Sequence, residues 1–195
     1  MENEFINERF LSTIFGQAVG DALGLSTEFM SKQEVDQFYP NGIEDYSQIV
    51  QDDHRRRWQR GDWTDDTDMM LCILDSFVAC QKVDILDIAR RFKKWMMNGG
   101  MGIGRHTYCL DDEKSMGYTL RTLGAALWAY WHATSYKEGI LKIVLSGGDA
   151  DTNVAVAGAI LGAKFGICHI PEEWKDGLLY ASMLHNKVQE FYAMV

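Results

Sequence analysis

Two acidic clusters hold the residues of this chain best suited to chemistry: Thr64-Asp65-Asp66-Thr67 and Asp149-Ala150-Asp151-Thr152. The first leads into Met69, Met70, Ile73, Leu74, Phe77 and Val78, which recur at helical spacing, so Thr64 is a natural cap with Asp65, Asp66 and Asp68 in the opening turn. The second follows Gly147-Gly148, which permit a tight turn, and Thr152 begins a helix of very small residues. One such cluster alone would be ordinary, since carboxylates accept from unpaired N–H groups and complement the positive end of a helix. Two clusters that met in space would be another matter, because their four aspartates would repel one another unless cations lay between them. Carboxylate and hydroxyl oxygens in this number suit Mg²⁺, Mn²⁺ or Ca²⁺ better than zinc, as neither cluster has a close pair of His or Cys ligands.

The elements that must position these clusters read as helices. Helical periodicity covers residues 7–24, 65–81, 84–98, 115–133, 136–145 and 152–166, and no set of strands with regular turn signals emerges. The expected class is therefore all-α. Gly16, Gly20 and Gly24 are four apart, as are Gly158, Gly162 and Gly166. A mid-helix glycine costs about 1 kcal/mol relative to alanine, so each row calls for a packing reason, and close crossing of two helices supplies it. A membrane-spanning face would need about 20 apolar residues, and Asp21 and Lys164 interrupt these runs.

The chain of 195 residues is 47% hydrophobic and has two prolines, which points to one core and a single domain over residues 1–195. Its formal charge of −9 opposes nonspecific binding to nucleic acid. The basic run HRRRWQR at 54–60 reads as a solvated loop bordering the cleft, where it would meet an anionic substrate. Cys72, Cys80, Cys109 and Cys168 show neither C-x-x-C spacing nor a secreted framework, and MENEFINERF lacks the apolar segment of a signal peptide. A cytoplasmic setting, with no membrane partner, is the expectation. His106 and His132 read as loop or surface residues without a partner.

Taken together and in order, GQAVGDALGLSTEF, WTDDTDMM and LSGGDADTNVAVAGAILGAKFG resemble the ADP-ribosylglycohydrolase family, the group that includes the dinitrogenase reductase-activating glycohydrolases. The resemblance spans residues 10–179. It implies a compact all-α domain with a binuclear Mg²⁺ or Mn²⁺ centre in a cleft between helix starts. The implied metal ligands are Thr64, Asp65, Asp66, Asp149, Asp151 and Thr152, and the implied catalytic residues are Glu28, Asp65, Asp66 and Asp151. Read without the resemblance, Glu28 is an ordinary exposed glutamate, and Asp21 braces the glycine-rich helix.

MNGGMGIGRHTY resembles the family's glycine-rich loop, in which Gly100, Gly102 and Gly104 would approach the diphosphate and distal ribose of ADP-ribose. Gly102 stands where relatives often carry aspartate. The family's long central region is reduced here to a connection at 109–114, so the part that normally walls the cleft and helps choose the acceptor is short. The implied reaction is metal-assisted hydrolysis that frees ADP-ribose from a modified acceptor, such as a protein side chain. Two alternatives stay open: a catalytically weak ADP-ribose-binding or structural relative, and a two-metal phosphoester hydrolase.

Overall fold

A computed structural model describes residues 2–100 and 116–194. Their α-helices are α1 (Glu2–Gly24), α2 (Lys32–Phe38), α3 (Asp65–Cys80), α4 (Ile85–Met97), α5 (Met116–His132), α6 (Tyr136–Val144), α7 (Ala150–Phe165), α8 (Glu172–Asp176) and α9 (Ala181–Tyr192). No strand occurs among the described residues, so the fold is all-α as expected.

Its centre is the crossing of α1 and α7, and the glycine rows explain how close the two helices come. A Cβ on Gly16 would lie 2.2 Å from the carbonyl oxygen of Gly158, and one on Gly158 would lie 2.1 Å from that of Gly16. Gly162 would meet the carbonyl of Ser12 at 2.1 Å in the same way. Backbone thus touches backbone, and any side chain at these points would drive the helices apart. Tyr136 of α6 seals the crossing by donating its hydroxyl to the Gly16 carbonyl at 2.8 Å. Around it Val19, Ala22, Val154, Ala157 and Leu161 are fully buried.

The crossing also has a direction. Gly24, the last residue of α1, would press a Cβ to within 2.5 Å of the Asp151 Cα. The end of α1, which leads to Glu28, is thereby laid against the start of α7. Gly166 departs from the expectation that it shares this helical face. It stands just beyond α7 with φ +92°, and a Cβ there would meet the Glu8 carboxylate instead.

The periodic segments form helices close to their expected bounds, whereas α2, α8 and α9 were not evident from periodicity. Their buried side chains are few: Val35 in α2, Trp174 in α8, and Leu184 and Val188 in α9. At seven and five residues, α2 and α8 are too short to display a helical period. No described helix is long and apolar enough to cross a membrane.

Candidate active site

The first acidic cluster is held in place from another helix. Asp21 of α1 accepts from the Thr64 N–H at 3.1 Å, the Thr64 hydroxyl at 2.7 Å and the Thr67 N–H at 2.9 Å. It therefore caps α3, and the helix it braces is not its own, as the sequence suggested, but the one that begins at Asp65. Thr64 occupies the N-cap position without making a side-chain cap bond, because its hydroxyl is turned towards Asp21. Asp21 is fully buried, and burial pushes its carboxyl up to about 6 against the opposing pull of the Thr67 and Thr64 hydrogen bonds.

The two clusters meet. The Thr64 hydroxyl lies 3.5 Å from Asp151 Oδ2, and Thr152 stands near enough to the Asp66 carboxyl to draw its pKa down. Burial, then the neighbouring charges of Asp21 and Asp65, push Asp66 up to about 8, with Asp149 adding to the same field. Asp151 is driven well above the carboxylate range by burial first, then by Glu28, Asp66 and Asp21. Asp65 and Asp149 are half-buried at the two helix starts.

The six residues expected to bind metal, four aspartates and two threonines, offer oxygen atoms only. Buried polar atoms in folded proteins nearly always have a partner, yet Asp151 Oδ1 is buried without one. A carboxyl oxygen in that state is what a hard cation would satisfy, whereas without one burial and the neighbouring acids favour the protonated form. As the side chains stand, no three His, Cys, Asp or Glu among the described residues are gathered into a closed ligand set. The two hydroxyls and small side-chain adjustments would have to complete one.

Glu28 reaches this cluster through the glycine pair. Gly147 and Gly148 have φ +70° and +76°, and the turn they form exchanges backbone hydrogen bonds with the segment after Glu28: Phe29 N–H to Gly148 O at 2.6 Å, and Gly148 N–H to Met30 O at 2.9 Å. Glu28 is buried, which corrects its reading as an exposed glutamate. The reason is its surroundings. Arg55, itself buried, donates to the carbonyls of Leu25 at 3.0 Å and Ser26 at 2.8 Å and also to that of Glu28, and so holds the whole turn.

His54 Nε2 lies 2.6 Å from Glu28 Oε2. On the other side of the ring, Arg57 reaches His54 Nδ1. A guanidinium can only donate, so Nδ1 accepts and Nε2 carries the proton that is donated to Glu28. The basic run is thus more than a solvated loop. Arg56 and Arg57 are exposed, but Arg55 and His54 turn inward to fix the acidic residue. Sequence reading missed His54, and the only signal was the position of its run shortly before the first acidic motif. His132, by contrast, is exposed and stacks on Trp128. His106 lies outside the described residues.

Beside the cluster opens a cleft of about 440 Å³, lined by Thr64, Asp68, Trp58, Trp63, Trp95 and Tyr180 among others. Gly99 and Gly100 form part of its rim, and a Cβ on Gly100 would stand 2.6 Å from the Trp95 indole. Gly102 and Gly104, the other expected loop contacts, lie outside the described residues, as does the connection at 109–114.

A helical fold built on two converging acidic helix starts defines a class, and the family comparison agrees. The family model described as ADP-ribosylglycohydrolase matches residues 2–113 and 105–194, and the chain belongs to that family. It is 36% identical over 84 residues to the ADP-ribosylarginine hydrolase Tri1 of Serratia proteamaculans (strain 568), a match covering 43% of this chain and 23% of that relative. It is 23% identical to the ADP-ribosyl-[dinitrogen reductase] glycohydrolase of Rhodospirillum rubrum over 284 aligned residues, covering 91% of this chain and 92% of the relative. A solved ADP-ribosylglycohydrolase-related protein complex shares the fold, with a TM-score of 0.74 at 20% identity over 96% of this chain and 98% of that one. Against the Tri1 hydrolase the chain spans less than a quarter of the relative's length.

Proposed function

We propose that this protein hydrolyses the bond between ADP-ribose and a modified acceptor, with two divalent cations held by Thr64, Asp65, Asp66, Asp149, Asp151 and Thr152. The observation that carries this reading is the convergence of both helix starts on Asp151, whose buried Oδ1 has no protein partner. Mg²⁺ or Mn²⁺ bound there would neutralise the aspartates, orient sugar hydroxyls and make a bound water more acidic.

The chain's own groups supply the rest. Glu28, fixed by the His54 N–H at one oxygen, keeps an acceptor available for a proton from water or from a sugar hydroxyl. Its negative charge, with those of the aspartates, would stabilise positive charge developing on the sugar as the glycosidic bond breaks. Burial of Glu28 and Asp151 keeps bulk water from screening that interaction. Gly100 at the cleft rim lets backbone come close to the ADP-ribose. Arginine is the acceptor that the Tri1 relatives' names favour.

A catalytically inert role for the cluster as a fold staple accounts less well for the open cleft at Thr64. The aligned length of 284 residues against a chain of 195 supports a shortened central region, which would leave that cleft with less wall. The test is release of ADP-ribose from arginine-linked and serine-linked peptides with Mg²⁺, with Mn²⁺ and with chelator, together with calorimetry of cation binding. Asp66→Asn and Asp151→Asn should each weaken cation binding and cut release by orders of magnitude, on the order of 10²-fold or more. Release unaffected by chelator and by both substitutions would refute the proposal.

A further inference from the structure

Asp68 stands in the first turn of α3 with Asp65 and Asp66, yet its carboxylate is committed to two tryptophans. Its Oδ1 accepts from the Trp63 indole N–H at 2.9 Å, and its Oδ2 accepts from the Trp95 indole N–H at 2.8 Å. Trp63 directly precedes Thr64, whereas Trp95 lies near the end of α4. A single side chain thus ties the start of the acidic cluster to the next helix.

Trp95 in turn shapes the glycine rim of the cleft. Its carbonyl accepts from the Asn98 and Gly100 N–H groups, both at 3.1 Å, and its indole lies so close to Gly100 that a Cβ there would stand 2.6 Å from the ring. Ring and carbonyl together fix the path of the chain as it leaves α4. Helix α4 has little else to hold it: none of its residues is fully buried, so half-buried side chains make its grip on α3. In that setting a hydrogen bond to a charged acceptor, stronger than a neutral one, is a large share of what keeps the Trp95 ring in place. A carboxylate is also the group this position requires. It accepts on both oxygens, whereas an amide of the same shape accepts on one only.

We propose that Asp68 is a positioning residue for ADP-ribose: through Trp95 it holds Gly99 and Gly100 at the cleft edge, where backbone meets the ligand. The identity of that ligand rests on the hydrolase reading, while the linkage from Asp68 to Gly100 rests on contacts alone. One helical turn then has two tasks, with Asp65 and Asp66 serving the cations and Asp68 serving the rim. A rim freed from Asp68 is in its binding position for only part of the time, and apparent affinity falls by that fraction.

Asp68→Asn and Trp95→Phe, singly and together in the full-length chain, test this role. In Asp68→Asn the Gly100 amide should exchange with solvent about tenfold faster, and calorimetry with Mg²⁺ present should show ADP-ribose affinity about tenfold weaker, as for a rim in place a tenth of the time. Cation affinity should be unchanged. With an arginine-linked ADP-ribosyl peptide, KM should rise while kcat holds, the signature of lost binding rather than lost chemistry. Trp95→Phe, which removes the indole N–H but keeps a ring against Gly100, should give the same losses. The double variant should be no worse than the poorer single one, since both break one bond. Unchanged Gly100 exchange in Asp68→Asn would overturn the linkage, as would additive losses in the double variant. Cation affinity that falls in step with ADP-ribose affinity would place Asp68 in the acidic cluster and overturn it as well. ADP-ribose bound by the unaltered chain and weakened in both variants, with no release from any ADP-ribosylated peptide, would keep the positioning role and remove the hydrolase. Release by the unaltered chain with ADP-ribose affinity untouched in both variants would do the reverse.

Discussion

Without cations the acidic cluster should make the fold less stable as pH rises. Asp66 is raised from the ordinary 3.8 to about 8, chiefly by burial and by its neighbours Asp21 and Asp65. Between those values the folded chain binds more protons than the unfolded chain, so stability is greatest at the acid end and is lost as pH climbs through the window. From pH 5 to pH 8 the loss approaches about 1.4 kcal/mol per pH unit for one such group, or roughly 3–4 kcal/mol in all. For a chain of this size, 1 kcal/mol moves the melting temperature by about 2–4 °C, so the expected fall is on the order of 10 °C. Melting followed by circular dichroism at pH 5, 6, 7 and 8 in chelator would measure it. Saturating Mg²⁺ or Mn²⁺ should shrink the slope, since a cation stabilises the ionised carboxylates and binds only the folded state. Asp66→Asn should flatten part of the slope in chelator, because one titrating group is gone. Equal melting temperatures at pH 5 and pH 8 in chelator, or a slope untouched by Asp66→Asn, would refute this account of the cluster.

Three further outcomes follow, two from the packing and one from the pairing of Glu28. Gly158→Ala should destabilise the fold by about 3 kcal/mol or more in urea unfolding, since its Cβ would meet the Gly16 carbonyl oxygen at 2.1 Å. Gly124→Ala, whose Cβ meets nothing within 4 Å, should be neutral or stabilising by up to about 1 kcal/mol. His54→Ala should lower turnover about tenfold or more with cation affinity retained in calorimetry, whereas His54→Gln, whose amide can donate to Glu28, should recover most of it. A glutamine variant no better than alanine would mean that the hydrogen bond does not position Glu28.

What the sequence determined by itself is local. The 3.6-residue spacing of Met69, Met70, Ile73, Leu74 and Phe77 marked α3, and the four-residue glycine rows marked a close helix crossing, because both patterns arise from the geometry of a single helix. Helices α2 and α8 escaped, as seven and five residues are too few to display a period. The order of the three motifs carried the family. Partnership across the chain was decided only by the tertiary structure. Asp21 could be seen as a brace, but that it caps α3 depends on where α1 crosses α7. Glu28 looked exposed because nothing beside it in sequence covers it. Arg55 and His54, more than twenty residues on, are what bury and orient it. Thr64 looked like a cap until the carboxylate of a different helix took over that task. Asp68 looked like one more first-turn acid until two indoles closed on it. A residue's type and the period around it are written in the chain, whereas its desolvation and its hydrogen-bond partners come from distant segments that only packing brings together.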